Sequence, residues 1–203
     1  MHTIKLKKTA GLLLGLCFFA TGALAQQVRV EADDPAFDDL QSPELGGNTG
    51  KKKWDPKDWL EAEVKLEVDA RPEPEDGFID RLQIRWYVAV KDPAGRGYFL
   101  LEKDVTYVNV PVGEDVYASV YLSPATIRRL TGGDRAGKSA VEAVAGIVSY
   151  NGSEAATFSS KSGEWWKSPS LSRTDKFPLM SKADTPFKFL WWDRYLEEQT
   201  DRR

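Results

Sequence analysis

One loop in the sequence has the residue types of a nucleotide-binding site. Gly132 to Ser139 read GGDRAGKS and match the phosphate-loop pattern G-x-x-x-x-G-K-[ST] at every specified position. The pattern holds phosphate only where a buried strand enters the loop and a helix leaves it, so that backbone N–H groups meet the phosphates. Here the sequence predicts a short helix before the loop and a β-branched strand after it. We therefore interpret the segment as a Gly-rich surface loop and predict no nucleotide cofactor.

Carboxylates offer a second chemistry, the hydrolysis of glycosidic bonds. That reaction needs two acidic side chains roughly 5 to 9 Å apart across a cleft. Acidic residues are spread over the whole chain, so the sequence selects no pair. Four aspartates next to aromatic residues are the nearest to a candidate set: Asp55, Asp58, Asp184 and Asp193.

Tryptophans are the most informative residues of the chain. Trp165–Trp166 and Trp191–Trp192 form two doublets, and Tyr195 follows the second. Consecutive side chains point to opposite faces of a strand and diverge by about 100° in a helix, so a doublet cannot bury both rings in one core. We expect at least one ring of each doublet outside the main core.

These rings have a functional and a structural interpretation. Rigid exposed aromatic rings are favoured at protein interfaces and also stack on sugar rings, so the sequence predicts binding residues at Trp165, Trp166, Trp191, Trp192 and Tyr195. On that interpretation, Trp166→Ala or Trp192→Ala weakens binding more than folding. The structural alternative is a satellite cluster in which loops cover the second ring.

The N-terminus predicts export. Residues 1–25 combine three early lysines, an apolar run over 12–20 and alanines at 23 and 25, which is the layout of a cleavable signal peptide. The run is too short to span a membrane, and no later stretch is long enough. We expect a periplasmic, cell-surface or secreted chain with no membrane span after cleavage.

Cleavage also limits the chemistry of the mature chain. The single cysteine, Cys17, and the single histidine, His2, both lie in the signal. Their loss excludes disulfides, thiolate or imidazole nucleophiles and the usual zinc ligand sets, so we predict no enzyme activity and no metal site. Removing three lysines and no acid takes the formal charge from −3 to −6, which disfavours nucleic acid as a partner.

The elements that position these residues are mostly strands. Apolar residues alternate with charged ones over residues 63–68 and 81–90, the two-residue period of half-buried strands. Asn151-Gly152 predicts a tight hairpin between a strand over 141–150 and its partner through 155–158. Ser123-Pro124 predicts the start of a short helix that ends at Gly132.

The pattern predicts one folded domain with two polar ends. Residues 26–53 are acidic, then Gly-rich, then basic, and predict a flexible leader, or alternatively an arm that docks on a partner. Residues 54–196 predict the folded domain and 197–203 a charged, frayed tail. The expected fold is all-β, an immunoglobulin-like β-sandwich of about seven or more strands with one short crossover helix; an open barrel is the alternative.

Two stretches carry a resemblance to a known family. The entry strand Trp59-Leu60-Glu61-Ala62-Glu63-Val64 and the closing stretch from Thr185-Pro186-Phe187 to Trp191-Trp192-Asp193-Arg194-Tyr195 follow the predicted signal peptide. With them the chain resembles the secreted, pilus-locus-associated proteins of Verrucomicrobia that have an immunoglobulin-like fold. The resemblance covers nearly all of the mature chain and implies an exported, oligomer-forming component linked with type IV pilus-like machinery. Since the chain lacks the hydrophobic N-terminal helix of a pilin, the resemblance implies an accessory protein.

Three classes of function follow. The preferred one is an exported, non-enzymatic binding or structural protein of a cell-surface, type IV pilus-like assembly or adhesion system, with envelope or pilus-assembly proteins or a second copy as partners. The first alternative is a carbohydrate-binding module that holds glycans on exposed tryptophans. The second alternative is a carboxylate-dependent glycan hydrolase.

Overall fold

The structure, a computed structural model, describes residues 26–46, 49–133 and 137–200. The predicted signal peptide, the last three residues of the predicted tail and part of the phosphate-loop-like segment lie outside these ranges. Within them, no helix has the length and apolar character needed to cross a membrane.

The described ranges contain eleven strands. They are β1 (Gln27–Ala32), β2 (Ala36–Gln41), β3 (Asp58–Arg71), β4 (Phe78–Lys91), β5 (Tyr98–Pro111), β6 (Asp115–Leu122), β7 (Val141–Tyr150), β8 (Ser153–Ser159), β9 (Leu171–Arg173), β10 (Met180–Ser181) and β11 (Glu197–Glu198). Two helices, α1 (Pro124–Thr131) and α2 (Gly137–Ala140), lie between β6 and β7. Three 3₁₀ turns follow β8, at Trp165–Lys167, Lys182–Asp184 and Pro186–Phe189.

The strands form two sheets. Sheet 1 has the order β1-β3-β6-β10, and β2 pairs with the other half of the β3 edge that β1 occupies. Sheet 2 has the order β11-β5-β4-β7-β8, and β9 runs parallel to β5. The predicted all-β, immunoglobulin-like sandwich is confirmed.

Alternation along the strands builds the core between the sheets. The even-numbered residues of β3 from Leu60 to Val68 are at most 1% exposed, while the residues between them point away from the core. Trp86 of β4 is fully buried, as predicted, and its ring meets Phe158 edge-on at 5.0 Å between centroids. Gly146 lies under that ring, where a Cβ atom would come within 2.2 Å of the Cζ of Phe158.

The predicted helix and hairpin are confirmed. Ser123 caps α1 by accepting a hydrogen bond from the backbone N–H of Thr126 at 3.3 Å, and Gly132 ends the helix with a φ of +78°. Asn151 and Gly152 both have positive φ and join β7 to β8. Left-handed backbone at both central residues is what a two-residue hairpin turn requires.

Two predictions about the ends of the domain are wrong. The sequence predicts a flexible leader over residues 26–53, but β1 and β2 lie inside that range and pair with residues 66–71 and 58–63 of β3. Composition misled here because the acids of an edge strand face solvent, while Val30 is buried and Val28 and Phe37 pack on the core. At the other end, Glu197–Glu198 of the predicted tail forms β11 and pairs with β5.

Candidate functional site

Part of the outer face of sheet 1, around Ser119 and Tyr121, is covered by a second layer of chain, although alternation had assigned it to solvent. We call residues 180–198, which include this layer and the edge strands β10 and β11 on either side of it in the chain, the C-terminal cap. Ser119 and Tyr121 of β6 point away from the inter-sheet core, yet they are 1% and 0% exposed. The cap buries both, so that the protein has a small polar and aromatic interior outside its main core.

A hydrogen-bonded cluster anchors the cap to the sheet. The hydroxyl of Tyr195 donates to Glu61 Oε1 at 2.9 Å and also contacts Glu63 Oε2, and Tyr121 donates to Glu61 Oε1 at 2.5 Å. Arg194 Nη2 donates to Glu63 Oε1 at 2.7 Å. Burial raises the pKa of Glu61, and the neighbouring Tyr121 and Tyr195 hydroxyls oppose part of that rise.

A column of aromatic rings runs from the sheet to the surface of the cap. Tyr121 stacks on Phe187 at 5.1 Å, and Phe187 stacks on Trp191 at 6.3 Å, with interplanar angles of 12° and 10°. Trp59 meets Phe187 edge-on at 5.6 Å. Phe187 is fully buried, and its ring packs against the Trp191 ring on the side that faces the sheet. Trp191 has a φ of +56°, a rare conformation for a bulky residue that persists only where the surroundings enforce it.

The turn of the cap carries three exposed aromatic side chains, which we call the aromatic patch: Phe189, Trp191 and Trp192. They are 55%, 46% and 68% exposed. Phe189 and Trp192 line one groove, and large exposed apolar groups that lie together mark binding surfaces. The second doublet therefore has both rings at the surface.

A groove of about 560 Å³ lies beside the patch, between Phe189, Trp192 and the residues of β11. Lys182 forms part of its lining and is only 7% exposed. The ammonium of Lys182 donates to the carbonyl of Leu190 at 2.7 Å and lies 4.9 Å from the centroid of the Tyr195 ring. Burial lowers the pKa of this lysine.

Glu198 fixes the floor of the groove. Its two carboxylate oxygens accept hydrogen bonds from the backbone N–H groups of Lys182 and Ala183, each at 2.9 Å. Both N–H groups lie at the start of a 3₁₀ turn, where the turn itself supplies no backbone acceptor, and the carboxylate provides one for each. Burial raises the pKa of Glu198.

The first tryptophan doublet belongs to a different place. Trp166 is 3% exposed and stacks on Tyr87 at 5.7 Å, and Trp165 meets Trp166 edge-on. With Leu100 and Ala145 these rings form a satellite cluster on the outer face of sheet 2. The structure thus brings Trp191, Trp192 and Tyr195 together in the cap and places Trp165 and Trp166 on the opposite side of the sandwich. The burial of Trp166 favours the structural alternative for that residue, so we expect Trp166→Ala to weaken folding more than binding.

The phosphate-loop-like segment has the surroundings expected of a surface loop. Helix α1 precedes it, and α2, which has four residues, leads directly into β7. The ammonium of Lys138 pairs with Asp38 at 3.2 Å, and its backbone N–H donates to Asp39 at 3.1 Å. In the described part of this loop, the lysine contacts two aspartates of β2.

The four aspartates considered for hydrolysis do not form one cluster. Asp184 pairs with Lys103 at 3.4 Å and accepts from Ser181 inside the cap, while Asp193 is exposed on the turn of the cap. Asp58 begins β3, and Asp55 lies in the segment before it. Among the described residues, no group of three or more His, Cys, Asp or Glu side chains is arranged to hold a metal ion.

Comparison with known proteins places this architecture in a family. A protein-family model matches residues 21–202. The chain belongs to that family. A crystal structure of a protein from Akkermansia muciniphila is similar, with 41% sequence identity, a TM-score of 0.79, and coverage of 88% of this chain and 96% of that one. No functionally curated protein matches the chain. The verrucomicrobial part of the resemblance is thus supported by a solved structure.

Sequence reasoning missed the anchor of the cap. Glu61 and Tyr121 fall on the outward positions of β3 and β6, which alternation assigns to solvent. One signal was present: β6 carries Tyr117 and Tyr121 on its outward face, and two large aromatic rings on a supposed solvent face favour a covered surface.

Proposed function

We propose that this chain is an exported, non-enzymatic binding and structural protein of a cell-surface assembly, and that the aromatic patch is its contact surface. The observation that carries the proposal is the exposure of Trp191 and Trp192 on a rigidly anchored cap. Burying these rings against a partner would remove apolar surface from water and so stabilise the complex.

Rigidity makes the patch suited to binding. The aromatic column below Trp191 and the bonds of Tyr195 to Glu61 and Glu63 fix the turn that carries the rings. A surface ordered before binding loses less conformational entropy on association than a flexible one. Tryptophan is among the residues that most often dominate binding energy at interfaces.

The biological setting rests on the signal peptide pattern and on the family. The pattern over residues 1–25 supports export, and a relative that is 41% identical comes from a verrucomicrobial species. These support envelope or pilus-assembly proteins, or a second copy of the chain, as partners of the patch.

A pull-down tests the proposal. The mature chain is tagged at its N-terminus and incubated with envelope extract from the native host cell, and bound proteins are identified by mass spectrometry. Trp192→Ala is compared with Phe78→Ala, which removes an exposed ring outside the cap. We expect a specific partner, or the chain itself, to be lost with Trp192→Ala and kept with Phe78→Ala. Identical capture by both variants contradicts the assignment of the patch.

A second function, carbohydrate binding, is favoured by the groove beside Trp192. Its wall is a flat, largely exposed indole ring, and its floor carries a buried ammonium group. Small-ligand sites combine apolar walls with a few fixed polar groups in this way. The groove and the aromatic patch share Phe189 and Trp192, so the two functions would use the same surface.

A further inference from the structure

A run of basic residues lies in the turn of the hairpin that joins β2 to β3. Lys51, Lys52 and Lys53 follow one another there, and Trp54 comes next. We call these four residues the basic tip. No acidic residue occurs between positions 45 and 54, so this stretch carries three positive charges, whereas the whole chain has a net charge of −3. The tip is therefore opposite in sign to the molecule that carries it.

Hydrogen bonds shape this hairpin beyond the end of the sheet. The N–H of Ser42 donates to the carbonyl of Lys57 at 2.9 Å, one step past the last paired residues of β2 and β3. Farther out, the N–H of Thr49 donates to the carbonyl of Lys52 at 2.6 Å, and the N–H of Lys52 donates to Thr49 Oγ1 at 2.9 Å. Gly50 lies between them, and no atom lies within 4 Å of its Cβ position. The hairpin thus presents a hydrogen-bonded turn to open space.

The charges of the basic tip are exposed and uncompensated. All three lysine side chains are exposed, and within the described part of the chain their ammonium groups make no hydrogen bond and no ion pair. Two acids flank the tip, Glu44 and Asp55, and Lys57 follows. With four lysines against two acids, residues 44–57 keep a net charge of +2. The tip can therefore attract an anionic surface.

Apolar surface accompanies these charges. Leu45 is 52% exposed and Trp54 is 44% exposed. The register of β2 and β3 pairs Gln41 with Asp58, so each of these apolar residues stands four positions beyond that pair, one on each arm of the hairpin. An indole ring and a leucine side chain thus belong to the same projecting hairpin as the lysines.

This combination suits an anionic lipid surface. Each lysine near such a surface raises affinity about fivefold, which is about 1 kcal/mol. Indole rings favour the boundary between headgroups and acyl chains, where one end of the ring is in apolar surroundings and the N–H stays hydrated. A specific protein interface, by contrast, uses roughly 20–30 residues on each side, many more than a narrow turn presents.

We infer that the basic tip docks the protein peripherally on a phospholipid surface that contains anionic headgroups. The three ammonium groups contact the headgroups, and the Trp54 indole enters the boundary with the acyl chains. The inference goes beyond the proposed function, because it uses residues that the aromatic patch does not include. Since the lysines are exposed, binding weakens as ionic strength rises.

Vesicle co-sedimentation tests the inference. The mature chain is mixed with vesicles of phosphatidylcholine alone, or of phosphatidylcholine with the anionic lipid phosphatidylglycerol. We expect binding to the anionic vesicles that falls with added salt, and no measurable binding to the neutral ones. The triple variant Lys51→Gln, Lys52→Gln, Lys53→Gln should bind about a hundredfold more weakly, the product of three factors of about five. Equal binding to both kinds of vesicle, or binding to neither, contradicts the inference.

A matched control removes the same charge elsewhere. The variant Lys167→Gln, Lys176→Gln, Lys188→Gln replaces three exposed lysines outside the tip. It should bind nearly as the wild type does, because charges more than about 10 Å from the lipid surface are largely screened. An equal loss in both triple variants would mean that net charge alone matters, and would overturn the assignment to the tip. Melting temperatures confirm that each variant folds, as expected for substitutions of exposed side chains.

Brominated lipids report whether the Trp54 ring enters the membrane. Bromine atoms on the acyl chains quench a nearby indole. We expect quenching of the wild type that Trp54→Phe removes and that Trp192→Ala keeps. Quenching that persists in Trp54→Phe and disappears in Trp192→Ala would assign the membrane contact to the aromatic patch, and the inference would be wrong.

Soluble polyglutamate separates a lipid surface from an acidic protein partner. If polyglutamate binds as tightly as the anionic vesicles do, and the tip variant loses that binding, the tip recognises acidic peptide and the inference is overturned. Weak or absent polyglutamate binding beside firm vesicle binding supports the lipid surface. A chain that captures an envelope partner through Trp192 but ignores vesicles keeps the proposed function and loses this inference, so the two fail separately.

Discussion

The hydroxyl of Tyr195 donates to Glu61 Oε1 at 2.9 Å and so joins two residues that are 134 positions apart. One residue belongs to the outward face of β3 and the other to the C-terminal cap. Because of this contact, Glu61 lies partly buried beneath the cap, although it is on the outward face of its strand. The contact also fixes the turn that presents Trp191 and Trp192.

Tyr195→Phe should destabilise the protein by about 1–3 kcal/mol. The substitution keeps the ring but removes the hydrogen bonds that the hydroxyl gives to Glu61 and Glu63, which keep Tyr121 and Arg194 as donors. A hydrogen bond to a charged group contributes about that much. Urea denaturation measures the change. Tyr117→Phe is the matched control, since the Tyr117 ring packs against Arg194 without needing its hydroxyl. Equal stability of Tyr195→Phe and wild type would show that the anchor contributes nothing.

The pH dependence of stability should change with Glu61→Gln. Burial raises the folded-state pKa of Glu61 above its ordinary value of 4.5, so folding favours the protonated carboxyl. The stability that this group supplies is fully present below the unfolded pKa and is lost as the pH rises through the folded pKa. Tyr121, Tyr195, Glu63 and Arg194 set the extent of the shift.

Glutamine mimics the protonated acid and cannot titrate. The unfolding free energy of Glu61→Gln, relative to wild type, should therefore rise with pH from about 4.5 upward and then level off. Denaturant curves at a series of pH values measure it. Glu67→Gln, exposed on the same strand, serves as control. A difference that falls with rising pH would mean that the pKa of Glu61 is lowered.

The two tryptophan doublets should respond differently to truncation. Trp166→Ala removes a ring buried against Tyr87 and should cost about 3–5 kcal/mol of stability. Trp192→Ala removes a ring that is 68% exposed and should change stability by no more than about 0.5 kcal/mol. Thermal melts compare the two. A larger loss for Trp192 than for Trp166 would refute the division into a structural and a binding doublet.

Gly146→Ala should destabilise the core by about 1–3 kcal/mol or more, the cost of overpacking. The added Cβ would lie 2.2 Å from Phe158 Cζ, and that ring is held edge-on against Trp86. Gly133→Ala is the control, because no atom lies within 4 Å of its Cβ position. Chemical denaturation of both variants checks the prediction. Unchanged stability of Gly146→Ala would show that the Phe158 ring moves aside at no cost.

The sequence alone determined the local elements. The alternation of β3 and β4, the Ser123 cap of α1 and the Asn151-Gly152 hairpin all depend on residues within a few positions of one another. Such features follow from backbone sterics and side-chain periodicity, which act locally. The all-β sandwich followed from their sum.

Only the tertiary structure decided what covers each outward face. Composition could not reveal that β1 and β2 complete an edge of sheet 1, or that one doublet is buried and the other exposed. Neither could it pair Tyr195 with Glu61. The physical reason is that alternation specifies two faces of a strand but not what lies against them, and burial depends on segments that are distant in sequence. The exposure of Trp191 and Trp192 is set by that second kind of information.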